Sequence, residues 1–323
     1  MTTIKALPHF QCQALSKFPG WPSLEESPYA WAFGEPAQKR LSEIQGFITA
    51  PNYPLTRDRL EAMTSLIVVS TYGTGYDYID VASASDLGIL VTHTPEAVVA
   101  ATAELGLTLI MALMRHIVPH DQAMREVLTD ESPNPGFLNQ DLTHNANSQI
   151  VGLVGYGRVA QRLEEILRAV GFQVIYTRKH GSLEGHPGYH TLSELLSQAD
   201  FVVVLTPLTH ETYHLIGERE LNCMKPTAYL VNISRGPCVD ESALVRCLTD
   251  RRIQGAALDV FEHEPHVSSE LRQLSSVILS PHTGTQTLEA RFEMTRDAVA
   301  NVEKGLLGIA QNGVNTERWT RRP

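Results

Sequence analysis

Gln149 to His180 reads QIVGLVGYGRVAQRLEEILRAVGFQVIYTRKH, and two different periods alternate along it. An almost wholly apolar run, QIVGLVG, enters a glycine turn. The segment RVAQRLEEILRAVG then has the length and spacing of a helix, and QVIYT is a second short apolar run. This is the pattern of a βαβ unit in a parallel sheet. Gly155, Gly157 and Ala160 fill the G-x-G-x-x-G/A positions of the turn. The first glycine allows the tight turn, the second lets backbone approach a pyrophosphate, and the small third residue lets helix and strand pack closely. The helix N-terminus adds unpaired N–H groups and a positive dipole end. Glycines also make ordinary turns, but this one follows a strand and opens a helix, the context a dinucleotide site requires.

The end of that unit decides which dinucleotide. About 20 residues past the first glycine an acid usually accepts hydrogen bonds from the adenosine ribose. Here Thr177, Arg178 and Lys179 stand instead. An acid would repel a 2′-phosphate, whereas a hydroxyl and two cations bind one through charge-assisted hydrogen bonds. The expectation is a preference for NADP(H), with NAD(H) the alternative if both cations are merely solvated.

Working outward, short Val- and Ile-rich runs alternate with helix-length segments on both sides. GFITA (46–50), LIVVS (66–70) and ILVTH (89–93) precede the unit, with a buried helix expected over Ala97–Arg115. FVVVLTP, AYLVNIS, GAALDV and VILSP follow it, so six strands lie between Gln149 and Pro281. Runs this apolar suit central strands covered on both faces. The segment from Thr129 to Ser148, rich in Pro, Asn and Ser, reads as an irregular connection, and an amphipathic helix is expected around Leu288–Gly305. The fold class is therefore α/β: a doubly wound Rossmann-type dinucleotide-binding domain over 95–283, and a smaller, discontinuous, flavodoxin-like substrate domain from 1–94 and 284–323.

Composition narrows the function. With 323 residues, 43% hydrophobic and 19% charged, the chain can build two cores. A net charge of -10 disfavours a nucleic-acid surface. The longest apolar run, LGLTLIMALM, is half a membrane span, and the N-terminus has no apolar signal core. Cys12, Cys223, Cys238 and Cys247 show no metal spacing. A soluble, cytoplasmic protein with free thiols is expected. His263 and His266 flank Glu264 but match no zinc pattern, so no metal is expected.

Three further segments place chemistry at strand ends, where an open α/β sheet binds its ligands. Arg235 follows LVNIS, Asp259, Glu262 and Glu264 follow GAAL, and His282 follows VILSP. A guanidinium holds a carboxylate or polarises a keto oxygen. A histidine gives that oxygen a proton as hydride arrives, and a carboxylate on its other nitrogen fixes the tautomer.

Together these segments resemble the D-isomer-specific 2-hydroxyacid dehydrogenases over nearly the whole chain. The carriers are STYGTGYDYIDV (70–81), HTPEAVVAATAELGLTLIMAL (93–113), GYGRVA, MKPTAYLVNISRGPCVDESAL (224–244), ALDVFEHEP (257–265) and SPHTG (280–284). The resemblance implies that Arg235 binds the 2-oxo acid, that His282 is the general acid/base and that Glu264 pairs with it. Asp259 would hold the nicotinamide carboxamide. Tyr156, Arg158, Val159, Thr206, Pro207, Thr212, Ile233, Ser234, His282 and Gly284 would line the cofactor beside the residues above. Amides of Gly73, Thr74 and Gly75 would complete the carboxylate pocket. A homodimer built largely around the Ala97–Arg115 helix and the segment after it, and glyoxylate or hydroxypyruvate as substrate, are implied as well. Tyr53, Tyr72 and Tyr76 leave room for a reading with a larger 2-oxo acid and NAD(H). A nucleotide-sensing protein of the same fold is the rival from another class. Three places depart from the family pattern: LNQDLTHNANSQ replaces a tryptophan-containing segment, His93 stands where Asn is common, and the last Val-Asn lacks its preceding proline.

Overall fold

The computed structural model describes residues 30–31, 42, 44–51, 53–126 and 142–319. Cys12 and most of the irregular connection, 129–141, lie outside the described residues; of its remainder, Ala146–Ser148 form one 3-10 turn. Contacts divide the chain into two units, Met1–Val99 with Thr285–Pro323, and Ala100–Gly284.

The first unit holds a parallel sheet in chain order: β1 (Ala30–Trp31), β2 (Gly46–Thr49), β3 (Val68–Thr71) and β4 (Leu90–Thr92). β1 has only two residues, too few to show any periodicity, and no strand is expected there from the sequence. The helix Leu288–Leu306 packs Met294, Ala298, Val299 and Val302 against Ile48, Val68 and Leu90. Its Gly305 lies so close to β3 that a Cβ there would fall 2.6 Å from Val68 Cγ2. Beyond it, the side chain of Asn315 accepts from the Val91 N–H (2.9 Å) and donates to the Ile89 carbonyl (2.9 Å), which pairs the edge of β4.

The second unit carries six parallel strands: β5 (Ile150–Val154), β6 (Gln173–Thr177), β7 (Phe201–Val204), β8 (Tyr229–Asn232), β9 (Gly255–Leu258) and β10 (Val277–Leu279). Their order is β10-β9-β8-β7-β5-β6, and a single parallel rung, Tyr176↔Tyr189, extends the edge beyond β6. The apolar runs have the reason expected of them. Phe201, Val203, Leu153 and Val231 enter one core cluster, while Val202, Val204, Leu230 and Leu258 enter the one on the opposite face. Burying each such side chain contributes on the order of 1.5–3 kcal/mol. The helix Val99–Met114 supplies Ala103, Leu109, Ile110 and Leu113 to the first of these clusters. No single helix among the described residues is long and apolar enough to cross a membrane.

The direction of strand addition reverses between β5 and β7, so a crevice opens at the carboxyl ends of those two strands. Gly155, Thr177, Arg235, Asp259, Glu264 and His282 all sit at or past that end of a strand.

Candidate active site

The glycine turn is built from two different constraints. Gly155 follows β5 with φ 95°, a left-handed value that disfavours side chains. A Cβ there would also lie 3.0 Å from the Leu205 carbonyl and from Thr206 Cγ2. Gly157 is the N-cap of the helix Arg158–Val170 and has no side-chain cap; a Cβ on it would meet nothing within 4 Å. The approach to this helix N-terminus at Gly157 is therefore open. Nearby, the Thr206 hydroxyl is buried without a hydrogen-bond partner. A helix N-terminus, the partnerless Thr206 hydroxyl and open space beside Gly157 fit a dinucleotide's phosphates.

Tyr156 turns its side chain inward. Its ring lies tilted by 31° against Tyr176 with centroids 4.1 Å apart, and its hydroxyl bonds Glu164 and lies 2.9 Å from His186 Nε2. Burial first, then the hydrogen bond and charge of Glu164, push its phenol far above its ordinary value. Only the Tyr156 backbone is therefore left to meet a ligand.

Thr177 ends β6, and its carbonyl accepts the Gly155 N–H at 3.0 Å, which joins the strand end to the turn. Arg178 is half-buried and Lys179 exposed. Lys179 Nζ pairs with the carboxylate of Glu211, a residue the sequence reading does not single out because it lies 32 positions away. The hydrogen bond from Lys179, then its charge, hold the Glu211 carboxyl below its ordinary value. In the same loop, Thr212 Oγ1 donates to the Pro207 carbonyl at 2.6 Å and accepts the Thr209 N–H at 2.8 Å. That hydroxyl is used in closing its own turn.

Ile233, Ser234 and Arg235 leave β8 under the control of Asn232, 1% exposed. Its side-chain oxygen accepts the Ser234 N–H (3.1 Å) and hydroxyl (2.9 Å), and its Nδ2 donates to the Arg235 carbonyl at 3.0 Å. Arg235 Nη1 in turn donates to the Ser234 carbonyl at 2.8 Å. The next residue admits no side chain: a Cβ on Gly236 would sit 1.9 Å from the Phe261 carbonyl carbon and oxygen. Backbone cannot retreat cheaply, so Gly236→Ala is expected to destabilise the protein by about 3 kcal/mol, the upper end for overpacking. A denaturant titration showing less than ~1 kcal/mol would sink that account.

Asp259, 1% exposed, ends β9 and ties down the loop after β10. Its Oδ1 accepts the Thr283 N–H (2.7 Å), the Thr283 hydroxyl (3.0 Å) and the Ser280 hydroxyl, and its Oδ2 accepts the Gly284 N–H at 2.9 Å. Its own carbonyl accepts the His282 N–H at 2.8 Å, while His282 holds a left-handed φ of 54°. Within this loop His282 Nδ1 lies 2.8 Å from Glu264 Oε2, and Glu264 Oε1 accepts the Phe261 N–H at 3.1 Å. Burial alone would push the Glu264 carboxyl up. The hydrogen bond and charge of His282, the Phe261 N–H and the charge of Arg235 outweigh it, and the net shift is downward. A carboxylate, an imidazole and a guanidinium thus converge from the ends of three adjacent strands, β8, β9 and β10.

Gly73, Thr74 and Gly75 belong to the first unit. Gly73, at φ 140°, gives its N–H to Thr94 Oγ1 (3.1 Å), while its carbonyl accepts from Thr71 Oγ1 (2.6 Å) and the Thr94 N–H (2.9 Å). His93 Nδ1 lies 3.0 Å from the Thr74 carbonyl, so the residue that departs from the family pattern braces this loop. The tyrosines that suggested a larger pocket divide. Tyr53 and Tyr72 are core side chains, 7% and 6% exposed, and only Tyr76 is open, at 39%. Tyr72 spends its hydroxyl on the Arg291 carbonyl (3.1 Å) and Thr295 Oγ1 (3.1 Å), which corrects its expected place along a pocket.

Comparison with known proteins gives three kinds of likeness. Residues 107–284 match the family described as D-isomer specific 2-hydroxyacid dehydrogenase, NAD binding domain. A glyoxylate reductase of Thermococcus gammatolerans is 37% identical over 289 residues, which cover 87% of this chain and 84% of that protein. Among solved structures, an NADPH-dependent glyoxylate/hydroxypyruvate reductase from Sinorhizobium meliloti, in complex with NADP and malonate, is 30% identical. It superposes with a TM-score of 0.79 over 88% of this chain and 87% of that one. An acyclic imino acid reductase in complex with NADPH and D-Arg is 27% identical, with a TM-score of 0.80 over 96% of both chains.

Proposed function

This chain belongs to the D-isomer-specific 2-hydroxyacid dehydrogenases, NAD(P)-dependent oxidoreductases, and from that footing we propose that it prefers NADP(H) and works mainly as a reductase of a small 2-oxo acid, glyoxylate or hydroxypyruvate. The observation that carries the chemistry is the 2.8 Å pair of His282 and Glu264 beside Arg235.

The roles follow from donors and charges. The Arg235 fork grips the substrate carboxylate and polarises the adjacent keto oxygen. The Nδ1 of His282 is committed to Glu264, so Nε2 is the nitrogen that passes a proton to the keto oxygen. Glu264, its carboxyl shifted downward, stays ionised through neutral pH and keeps the ring in one tautomer. When bound, the reduced nicotinamide supplies the hydride. The sum is 2-oxo acid plus hydride plus proton giving the 2-hydroxy acid; the hydride and proton charges cancel, and the carboxylate keeps its single charge throughout. The loop Gly73–Gly75 is assigned to carboxylate binding through Thr74 and Gly75, because the Gly73 amide is spent on Thr94. The dinucleotide is assigned to Gly155, Gly157, Arg158, Val159, Thr206, Ile233, Ser234 and Gly284. Asp259 keeps an Oδ2 lone pair for the carboxamide beyond its bond to Gly284. A homodimer and a cytoplasmic location belong to the same proposal. Exposed Ile117 and Met124 on the helix Ile117–Glu126 support the former, and the free thiols Cys223, Cys238 and Cys247 the latter.

The cofactor preference rests on Arg178 and Lys179, and on two relatives solved with NADP or NADPH. Glu211 tempers it, because Lys179 must exchange that carboxylate for a phosphate. In assays with glyoxylate and hydroxypyruvate, kcat/KM with NADPH should exceed that with NADH. The Arg178→Ala, Lys179→Ala double variant should lose about 10-fold per cation on NADPH alone. Glu211→Gln should raise the NADPH value by up to ~fivefold, the worth of an exposed pair. Equal use of both cofactors by the unaltered protein would dismiss the NADP reading.

A further inference from the structure

A second histidine–carboxylate group lies behind the reacting residues. His214 sits in the loop after β7, at φ 50°, and its side chain is 31% exposed. Its Nε2 lies 2.7 Å from Glu262 Oε1, and Nδ1 is 3.9 Å from Asp240 Oδ2. Glu262 is the acid of the β9 end that the catalytic scheme leaves unused; its side chain is 13% exposed. Glu262 and Glu241 exchange bonds reciprocally. The Glu241 N–H donates to Glu262 Oε2 at 3.3 Å, and the Glu262 N–H to Glu241 Oε2 at 3.1 Å. Two carboxylates, Glu262 and Asp240, thus flank one imidazole, and Glu241 is tied to Glu262 through the backbone.

The same residues fasten three backbone segments. The His214 N–H donates to the Pro237 carbonyl at 2.8 Å, and Ile216 pairs with Val239 in parallel, so the His214 loop runs alongside the chain just past Arg235. Gly236 lies directly on the Phe261–Glu262 peptide, where a Cβ would be 2.4 Å from the Glu262 nitrogen. Two residues on is Glu264, and its Oε1 accepts the Phe261 N–H. There is no slack between the Arg235–Gly236 turn and the 261–264 segment, so a shift of Glu262 must move Arg235. Misplacement by about 1 Å costs up to ~10²-fold in such sites.

We propose that His214 is a positioning residue for substrate binding: by clasping Glu262 it holds the Arg235 turn in register with the segment that carries Glu264. This rests on the reading of Arg235 as the ligand of the substrate carboxylate.

The test is steady-state kinetics with NADPH and glyoxylate or hydroxypyruvate, with NADPH binding followed separately by its fluorescence. His214→Ala should raise KM for the 2-oxo acid about 10-fold or more, change kcat by less than ~threefold, and leave NADPH binding as it was. His214→Gln should recover most of the loss, because the amide nitrogen can donate to Glu262 from near the Nε2 position. Glu262→Gln keeps the shape but weakens the clasp from the other side, so it should raise the same KM even if His214→Ala fails to fold. An unchanged KM with only a lower Tm would overturn the proposal, as would equal weakening of substrate and NADPH. A His214→Gln variant no better than His214→Ala would do the same. Arg235→Ala, measured alongside, separates the two readings. If it leaves KM for the 2-oxo acid unchanged, the role of Arg235 falls, and the clasp's assigned purpose falls with it.

Discussion

His282→Ala lowers kcat by about 10²–10⁴-fold, the usual worth of a general acid, and does so with little change in NADPH binding. The reasoning starts from the ring. Nδ1 is held by Glu264 at 2.8 Å, and the residue's left-handed backbone is fixed by its N–H to the Asp259 carbonyl. A left-handed non-glycine residue costs on the order of 1–3 kcal/mol and persists only where its surroundings over-determine it. Here four hydrogen bonds to the buried Asp259 carboxylate do so, from Ser280, from Thr283 twice and from Gly284. Removing the imidazole leaves this frame in place and deletes only the proton donor. The loss therefore appears in kcat and in kcat/KM together, as for an interaction made only in the transition state. Single-turnover measurement of NADPH oxidation separates this from slowed product release. Near-normal turnover by His282→Ala would reject the mechanism.

Arg235→Ala has the second large effect and a different signature. Its guanidinium is paired with a carbonyl of its own turn, Ser234, and its charge helps lower the Glu264 carboxyl. Loss of a charge-assisted, two-pronged contact to a carboxylate costs kcat/KM about 10²–10³-fold. Most of this should appear as a higher KM for the 2-oxo acid, because the carboxylate is bound in ground state and transition state alike. A smaller part should appear in kcat, through the keto oxygen. Arg235→Lys should not restore activity, since an ammonium offers a point charge where a planar fork is needed. The check is KM for glyoxylate or hydroxypyruvate at saturating NADPH; an unaltered KM would remove Arg235 from the substrate site.

Much of the architecture was legible because the strands are fully buried. Buried on both faces, a strand must be apolar at every position, and runs such as FVVV and GAAL announce themselves. The same rule misplaces their ends. FVVVLTP runs on past Val204 with Leu205, and GAALDV past Leu258 with the buried Asp259 and Val260, although the ladders stop at Val204 and Leu258. Hydropathy reports burial, not hydrogen bonding. The two-residue β1 escaped for the opposite reason, being shorter than any period.

The sequence by itself determined the parallel α/β class and the glycine turn, and it marked the groups proposed to react. Each of these follows from residue type at short spacing: glycine where φ is positive, apolar runs where strands are covered, and Arg, Glu and His just past strand ends. What the tertiary structure alone decided lies between residues far apart in the chain. Glu211 meets Lys179 across 32 positions, and His214 meets Glu262 across 48. Asn232 shapes the turn of Arg235, and Tyr53 and Tyr72 turn out to be core rather than pocket. No local period encodes such pairings. They exist because adjacent parallel strands bring their carboxyl ends together, and there the cost of burying a polar group unpaired selects which distant side chains must meet.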